Sequence, residues 1–433
     1  MNTANDVRKT DLVQRIWSRF QTRLGKRQAA VFKPFVEQVF DRVPYEELAD
    51  SSPEHLAALL AGQTAFMHHR QPGQLSVRVF NPSIDEHGWD GGRSVAELVN
   101  DDKPFLVDSA VLALSELGMG IEQVIHPLIR VERDDAGHIT RIHPANSEKG
   151  QPESVMQLHL DRRVGDSELT KIRDRLADAM DDVDKVVADW KAMEQNVGET
   201  VLAMPEWAPG VDADWMGECQ EFVRWLLDDH FVLLGIRDYE LVGKGSSTAF
   251  HRVRGSGLGI LRDPGKSPGA RALDSLAPAA RRHSQKRPLI ITKTNSRSTV
   301  HRPGYMDYIG VLKIDDQGRT VGERRIIGLF TSRAYTQGVM STPVVRVRAR
   351  NIMEASGLVQ NSHDYKSMMH ILQTLPRDEV YQASTHQLRE IAEGVLNLQE
   401  RKLVRLFIRK ERYGRFYSCL VYLPRERFNT ENR

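Results

Sequence analysis

Cysteine is nearly missing from this 433-residue chain: Cys219 and Cys419 are the only two. Two distant thiols build no disulfide framework, and such usage fits a reducing compartment. Long apolar runs are missing too. None approaches the ~18–20 residues that cross a bilayer, and the opening MNTANDVRKT lacks the apolar core of a secretory signal. Nor is there a surplus of one charge, since 60 Lys and Arg nearly cancel 58 Asp and Glu, leaving +2. Bulk charge therefore points to neither nucleic acid nor membrane as a partner. The expected location is the cytoplasm.

Catalytic motifs are equally scarce. Gly255-Ser256-Gly257-Leu258-Gly259 follows a strand-like run, but a dinucleotide fingerprint needs a small residue where Ile260 stands. Gly265-Lys266-Ser267 imitates the end of a phosphate loop whose first glycine would fall on Ile260 and whose cradle would close at Pro264. His68 and His69 are adjacent, so on a helix they point about 100° apart. His126, His143 and His159 have no Cys or carboxylate at metal-ligand spacing. The pairs Asp101-Asp102, Asp181-Asp182 and Asp228-Asp229 sit at segment ends, where acids cap helices. No catalytic, cofactor-binding or metal-binding residue is assigned. The basic stretches Arg281 to Arg287 and Arg405 to Arg415 suit RNA less well than a charged strand or turn.

What is present is a succession of amphipathic segments in an α+β order. Residues 1–72 carry helical stripes: Leu12, Ile16 and Phe20, then Phe32, Phe35, Val36 and Val39. Ser51 with Glu54, and Pro53 between them, suggest a capping box and helix start. From Leu75 the period becomes two. LSVRVF is a strand ending at Asn81-Pro82, and Pro104 to Leu117 a helix closed by Gly118. Ile121 to Val131 and Ser154 to Leu160 are strands, and a helix opens at Asp166. The order β-α-β-β-α predicts a ferredoxin-like unit over 73–195, with one sheet face open for another copy.

A looser repeat is expected over 205–345, with strands at Phe231 to Leu241, Leu289 to Lys293, Met306 to Ile314 and Arg325 to Phe330. Gly255 to Arg287 reads as a surface excursion with a helical stretch near Ala270 to Arg282. Residues 346–400 form a helical connector in which Ser362 and Ser384 are placed as N-caps. At 401–433 a hairpin around Tyr413-Gly414-Arg415 starts a further unit. One ribbon cannot bury its own apolar face, so these residues read as the front of a longer polypeptide.

Two polar clusters invite a ligand. Asp101-Asp102-Lys103-Pro104-Phe105, with Asp108 one turn on, lies where a strand hands over to a helix whose first N–H groups face anions. The plainer reading is that Asp101 or Asp102 caps that helix. The strip Asn295 to Arg302 presents Arg297, His301 and Arg302 to a carboxylate, or is simply a turn.

With these residues in view, the chain resembles the N-terminal region of the large bacterial NAD-specific glutamate dehydrogenases. The passages that carry it are DDKPFLVDS (Asp101–Ser109), LLDDHFVLLGIRDYEL (Leu226–Leu241), GSGLGILR (Gly255–Arg262) and NSRSTVHRPGYMDYIGV (Asn295–Val311). GERRIIGLFTSRAY (Gly322–Tyr335), LPRDEVYQ (Leu375–Gln382) and YGRFYSCLVYLPRERF (Tyr413–Phe428) continue it. The resemblance implies tandem ACT-like units that bind small effectors such as amino acids and associate with copies of themselves. They precede a catalytic region that oxidises glutamate to 2-oxoglutarate and ammonia with NAD. No cofactor is implied for this chain itself, because the dinucleotide fold and catalytic lysine of the family are absent from it. A free-standing amino-acid sensor is the alternative.

Overall fold

Four helices open the chain because their apolar residues recur every three to four positions: α1 (Thr3–Leu24), α2 (Lys26–Asp41), α3 (Tyr45–Ala49) and α4 (Pro53–His68). The cap of α4 is Ser52 rather than Ser51; its hydroxyl accepts from the His55 amide, and Pro53 follows as the first helical residue. The computed structural model describes residues 3–41, 43, 45–49, 51–144, 146–243, 249–262, 288–398, 401, 403–411, 414 and 416–428. They divide into two units, residues 1–184 with 299–303, and residues 185–298 with 304–433.

In the first unit the helices lead to β1 (Ser76–Phe80), α5 (Ile84–His87), β2 (Val95–Asp101) and α6 (Leu106–Glu116). Then come β3 (Ile121–Ile125), β4 (Leu128–Arg133), β5 (Ile139–His143), β6 (Gln151–Leu160) and α7 (Asp166–Trp207). The antiparallel sheet runs β1-β2-β6-β4-β5, with β3 also on β6. The single strand expected over Ile121 to Val131 is two, broken at His126-Pro127. The strand entering α6 is β2, and β1 is an added edge.

Alternation along β2 and β6 puts Val95, Val99 and Val155 on one face. They share a core with Ile16, Phe20, Phe32, Phe35 and Leu60 of the N-terminal helices. The face expected to stay open for another copy is therefore covered by the chain's own first helices. Residues 1–72 and the sheet that follows share one interior.

That covered face is not purely apolar. Glu97 on β2 and Glu153, Gln157 and His159 on β6 fall in phase with the valines and are buried. Arg78 pairs with Glu97 at 2.6 Å, the Gln157 amide donates to Glu97 at 2.6 Å, and His159 meets Gln157 at 3.0 Å. Glu153 is held from two sides, by Arg70 at 2.6 Å and by Arg133 at 2.8 Å. Arg133 also donates to the carbonyls of Met67 and His68, where α4 ends. Removing one partner of a buried ion pair strands the others at about 3–5 kcal/mol. Glu153→Ala is accordingly expected to lower unfolding free energy by about that amount in urea titrations of the chain.

Burial, aided by the Arg93 charge and by His55, pushes the His159 imidazole down from 6.5 to about 4. The unfolded chain thus binds the proton more readily than the folded one. The stabilising contribution is complete above pH 6.5 and is lost as pH falls toward about 4. A destabilisation on the order of 3 kcal/mol across that window should appear in the wild-type chain and vanish from that slope in His159→Gln. An identical slope in both would refute it.

The second unit takes the rest of α7, then α8 (Ala213–Trp225), β7 (Phe231–Val242), β8 (Ala249–Arg252) and β9 (Leu258–Gly259). β10 (Leu289–Arg297), β11 (Tyr305–Ile314) and β12 (Thr320–Phe330) follow. Its antiparallel order is β10-β11-β12-β7-β8, with β9 on β7. Among the described residues no helix lies between β7 and β12. The helical stretch near 270–282, Gly265-Lys266-Ser267 and the basic stretch 281–287 lie outside the described residues.

The Gly255 passage packs on the sheet. Gly259 has φ +61°, and a Cβ there would meet the Leu234 carbonyl oxygen at 2.2 Å. Its amide donates to Asp189 at 2.8 Å, and Arg262 pairs with the same carboxylate at 2.5 Å.

The chain closes with α9 (Ser332–Thr336), α10 (Val345–Ala355), α11 (His363–Thr374), α12 (Arg377–Gln382), α13 (Thr385–Leu396) and the hairpin β13 (Arg405–Lys410) to β14 (Tyr417–Tyr422). Ser362 and Ser384 cap α11 and α13 as expected, the latter in a full capping box with Gln387. In the hairpin turn Gly414 takes φ +71°; Tyr413 and Arg415 lie outside the described residues.

Candidate functional site

The handover from β2 to α6 is shaped by backbone rather than by a capping acid. Phe105 stands at the N-cap with φ +73° and makes no side-chain cap bond. Asp101 is turned instead to Arg70, at 2.7 Å. Burial opposes its charge, but the hydrogen bond and charge of Arg70 outweigh that and hold the carboxyl below the usual range. Asp102 fixes the loop through its amide, which donates to the Pro152 carbonyl at 3.1 Å. The plainer reading, a helix capped by Asp101 or Asp102, is therefore set aside.

Residues 299–303 of the same unit dock at this place. The His301 amide donates to the Ser109 hydroxyl at 3.1 Å, and its ring nitrogen Nδ1 lies 3.2 Å from Asp108. The His301 and Phe105 rings are 5.0 Å apart. Both residues adopt positive φ, which only a well-determined surrounding maintains in non-glycine residues. Thr299 donates to Asp182 at 2.7 Å, Lys103 pairs with Asp184 at 2.7 Å, and Val300 is fully buried. The structure thus gathers Lys103, Phe105, Asp108 and His301, with Arg302 next in the chain. Arg297 belongs to the other unit, its guanidinium 5.5 Å from the Tyr305 ring centroid.

A second polar cluster escaped the sequence. Lys293 on β10 is the cross-strand partner of Asp307 on β11. Its ammonium lies 2.6 Å from Asp307 and 3.2 Å from Asp378. The Phe330 amide donates to Asp307 at 3.0 Å, and the Tyr335 hydroxyl to Asp378 at 3.2 Å. Burial works against the Lys293 charge, but Asp307 and Asp378 hold its proton well above the ordinary range. The signal was a charged residue set among apolar ones in each of two strands, and it needs the register to become a pair. Among the described residues no group of His, Cys, Asp or Glu is arranged to hold a metal ion.

These sheets and helices define an ACT-bearing α+β assembly. Residues 35–176 match the glutamate dehydrogenase ACT1 domain, 342–401 its helical motif 1, and 405–433 its ACT2 domain. The chain is 32% identical over its whole length to the NAD-specific glutamate dehydrogenase of Halomonas elongata. It is 30% identical over 98% of its length to that of Pseudomonas aeruginosa, and 28% identical over 87% to that of Mycobacterium tuberculosis. It spans 27%, 26% and 22% of those relatives. With three of the family's modules in order, the chain belongs with the ACT-bearing region of the large NAD-specific glutamate dehydrogenases. The family's ACT2 match falls on the terminal hairpin.

Replacing Lys293 by Met would strand Asp307 in the interior. Lys293→Met should cost about 3–5 kcal/mol at pH 8. The penalty should shrink as pH falls and Asp307 takes up a proton, as followed by urea unfolding at pH 8 and pH 5. A penalty independent of pH would contradict the pairing.

Proposed function

We propose that this chain is the effector-sensing, regulatory part of an NAD-dependent glutamate dehydrogenase that works in the cytoplasm as a homo-oligomer. The parent reaction, glutamate and NAD to 2-oxoglutarate, ammonia and NADH, is carried by a part of the enzyme that this chain does not span. Supporting this reading is the ACT1 match over the very unit in which residues 299–303 dock at the start of α6. No helix among the described residues is long and apolar enough to cross a membrane.

An amino acid suits the α6 site chemically. The first-turn amides and Lys103 attract a carboxylate, while Asp102 and Asp108 suit an ammonium group. His301 and Arg302, from residues 299–303 of the same unit, close the site. Such a ligand regulates only through its differential affinity for two states, a coupling of about 1–3 kcal/mol.

The test is calorimetric titration of the 433-residue chain with a panel of amino acids. Lys103→Met and Asp102→Ala should weaken binding about tenfold, or 1.4 kcal/mol. Binding unchanged by both would remove the site. The same chain should form no NADH from glutamate and NAD, and measurable turnover would overturn the regulatory reading.

A further inference from the structure

A cleft of about 490 Å³ lies within the first unit, where the N-terminal helices meet the end of the sheet. Phe40 of α2, Leu48 of α3, Leu59 of α4, Trp89 and Ile125 of β3 form its apolar walls. The first four are at least nine-tenths buried. Its volume is that of an ordinary small-molecule site, roughly 300–1,000 Å³, in which apolar walls meet a few placed polar groups.

Those polar groups sit together. Arg93 Nη1 pairs with Glu122 at 2.6 Å, the arginine part-buried and the glutamate exposed. Arg93 Nε reaches the Gly91 carbonyl at 3.4 Å. Its Nη2 has no hydrogen-bond acceptor among the described residues, so the planar guanidinium keeps donors for a second carboxylate. On the sheet side His159 is buried and already bonded to Gln157, and the His55 ring lies 5.2 Å from Trp89. The lining thus offers one cation, one anion beside it, and a deep apolar interior. Nothing in it resembles a phosphate site, and a neutral hydrocarbon would leave the guanidinium unused.

We propose that this cleft binds a small carboxylate with an apolar body, its carboxylate on Arg93 and its body against Leu59 and Trp89. The proposal rests on reading the chain as a ligand-sensing region, but it concerns a site separate from the start of α6. Glu122 sets the preference between sources: an amino acid would place its ammonium there, whereas the corresponding plain acid would use Arg93 alone.

The experiment is titration of the 433-residue chain with 4-methylpentanoate, 3-phenylpropanoate, L-leucine and L-phenylalanine, followed by calorimetry and ligand-observed NMR. Acetate and 4-methylpentan-1-ol are the controls. The apolar acids should saturate, and the controls should bind at least about tenfold more weakly. Arg93→Gln, which removes the charge at a part-exposed position, and Leu59→Trp, which fills the interior, should each weaken binding about tenfold or more. Lys103→Met should leave the plain acids unaffected. Stronger binding of leucine than of 4-methylpentanoate, lost in Glu122→Gln, assigns the amino acid; equal binding assigns the carboxylate alone.

The proposal is overturned if none of the four acids binds more tightly than acetate. It is equally overturned if Arg93→Gln, folded by circular dichroism, binds as wild type. Amino-acid binding abolished by Lys103→Met and untouched by Arg93→Gln would sink the cleft while sustaining the α6 site. The reverse pattern would do the opposite.

Discussion

The first unit depends on one carboxylate. Glu153 sits in the middle strand of the sheet with Arg70 on one side and Arg133 on the other. Arg70 extends the chain of charges to Asp101, the last residue of β2. Arg133 extends it to the final carbonyls of α4. A buried charge is tolerable only when its lone pairs are met with good geometry, and both oxygens of Glu153 are met by guanidinium groups. The consequence is positional. The network fixes where α4 stops, where β2 stops, and so where the loop carrying Asp102, Lys103 and Phe105 begins.

Covering the second face of the sheet follows from the same arrangement. Were β2 and β6 apolar on that face, any amphipathic helix of suitable length would fit. Glu97, Glu153, Gln157 and His159 make it selective, because each must find its partner in a particular place. Arg78 satisfies Glu97 while also donating to the Gly62 carbonyl of α4. Polar specificity and apolar burial reach different helices of one layer: Phe20 of α1 and Phe32 and Phe35 of α2 supply area, and Arg78 and Arg133 fix α4 through its carbonyls. Where the face runs out, beyond His159, the wall opens into the cleft beside Arg93 and Glu122.

How much of this was legible in the sequence depends on how each segment is buried. Strands of the second unit were readable because Phe231 to Leu241 and Met306 to Ile314 are unbroken apolar or alternating runs between turn residues. β2 was not, because six of its seven residues are buried on both faces. That erases alternation, while Glu97 and Asn100 disguise it as polar. The break between β3 and β4 falls at Pro127, which has no amide to donate to a ladder. The helical stripes were clear, but a stripe gives no address, so what α1 to α4 cover was invisible. Caps at Ser362 and Ser384 were legible because they are local chemistry. Phe105 was not, since nothing in cap preferences selects an aromatic residue at positive φ; the docked His301 ring packs beside it there.

The terminal hairpin mixes the two kinds of contact in the same way. Its two faces alternate, as a ribbon must, and the inward face carries Phe407 and Leu420, partly buried, beside charged residues. Arg409 forms a buried two-bond pair with Glu379 of α12, and Glu411 accepts from Thr292 on β10. Outward stand Leu406 opposite Val421 and Ile408 opposite Cys419, with Leu406, Ile408 and Val421 each more than half exposed. Phe407 packs against Gly394 of α13, and the directional bonds of Arg409 and Glu411 add orientation to that contact. Such bonds are individually modest in water but strong and orienting when buried, especially when charged. The ribbon is thus oriented while Leu406, Ile408 and Val421 stay exposed.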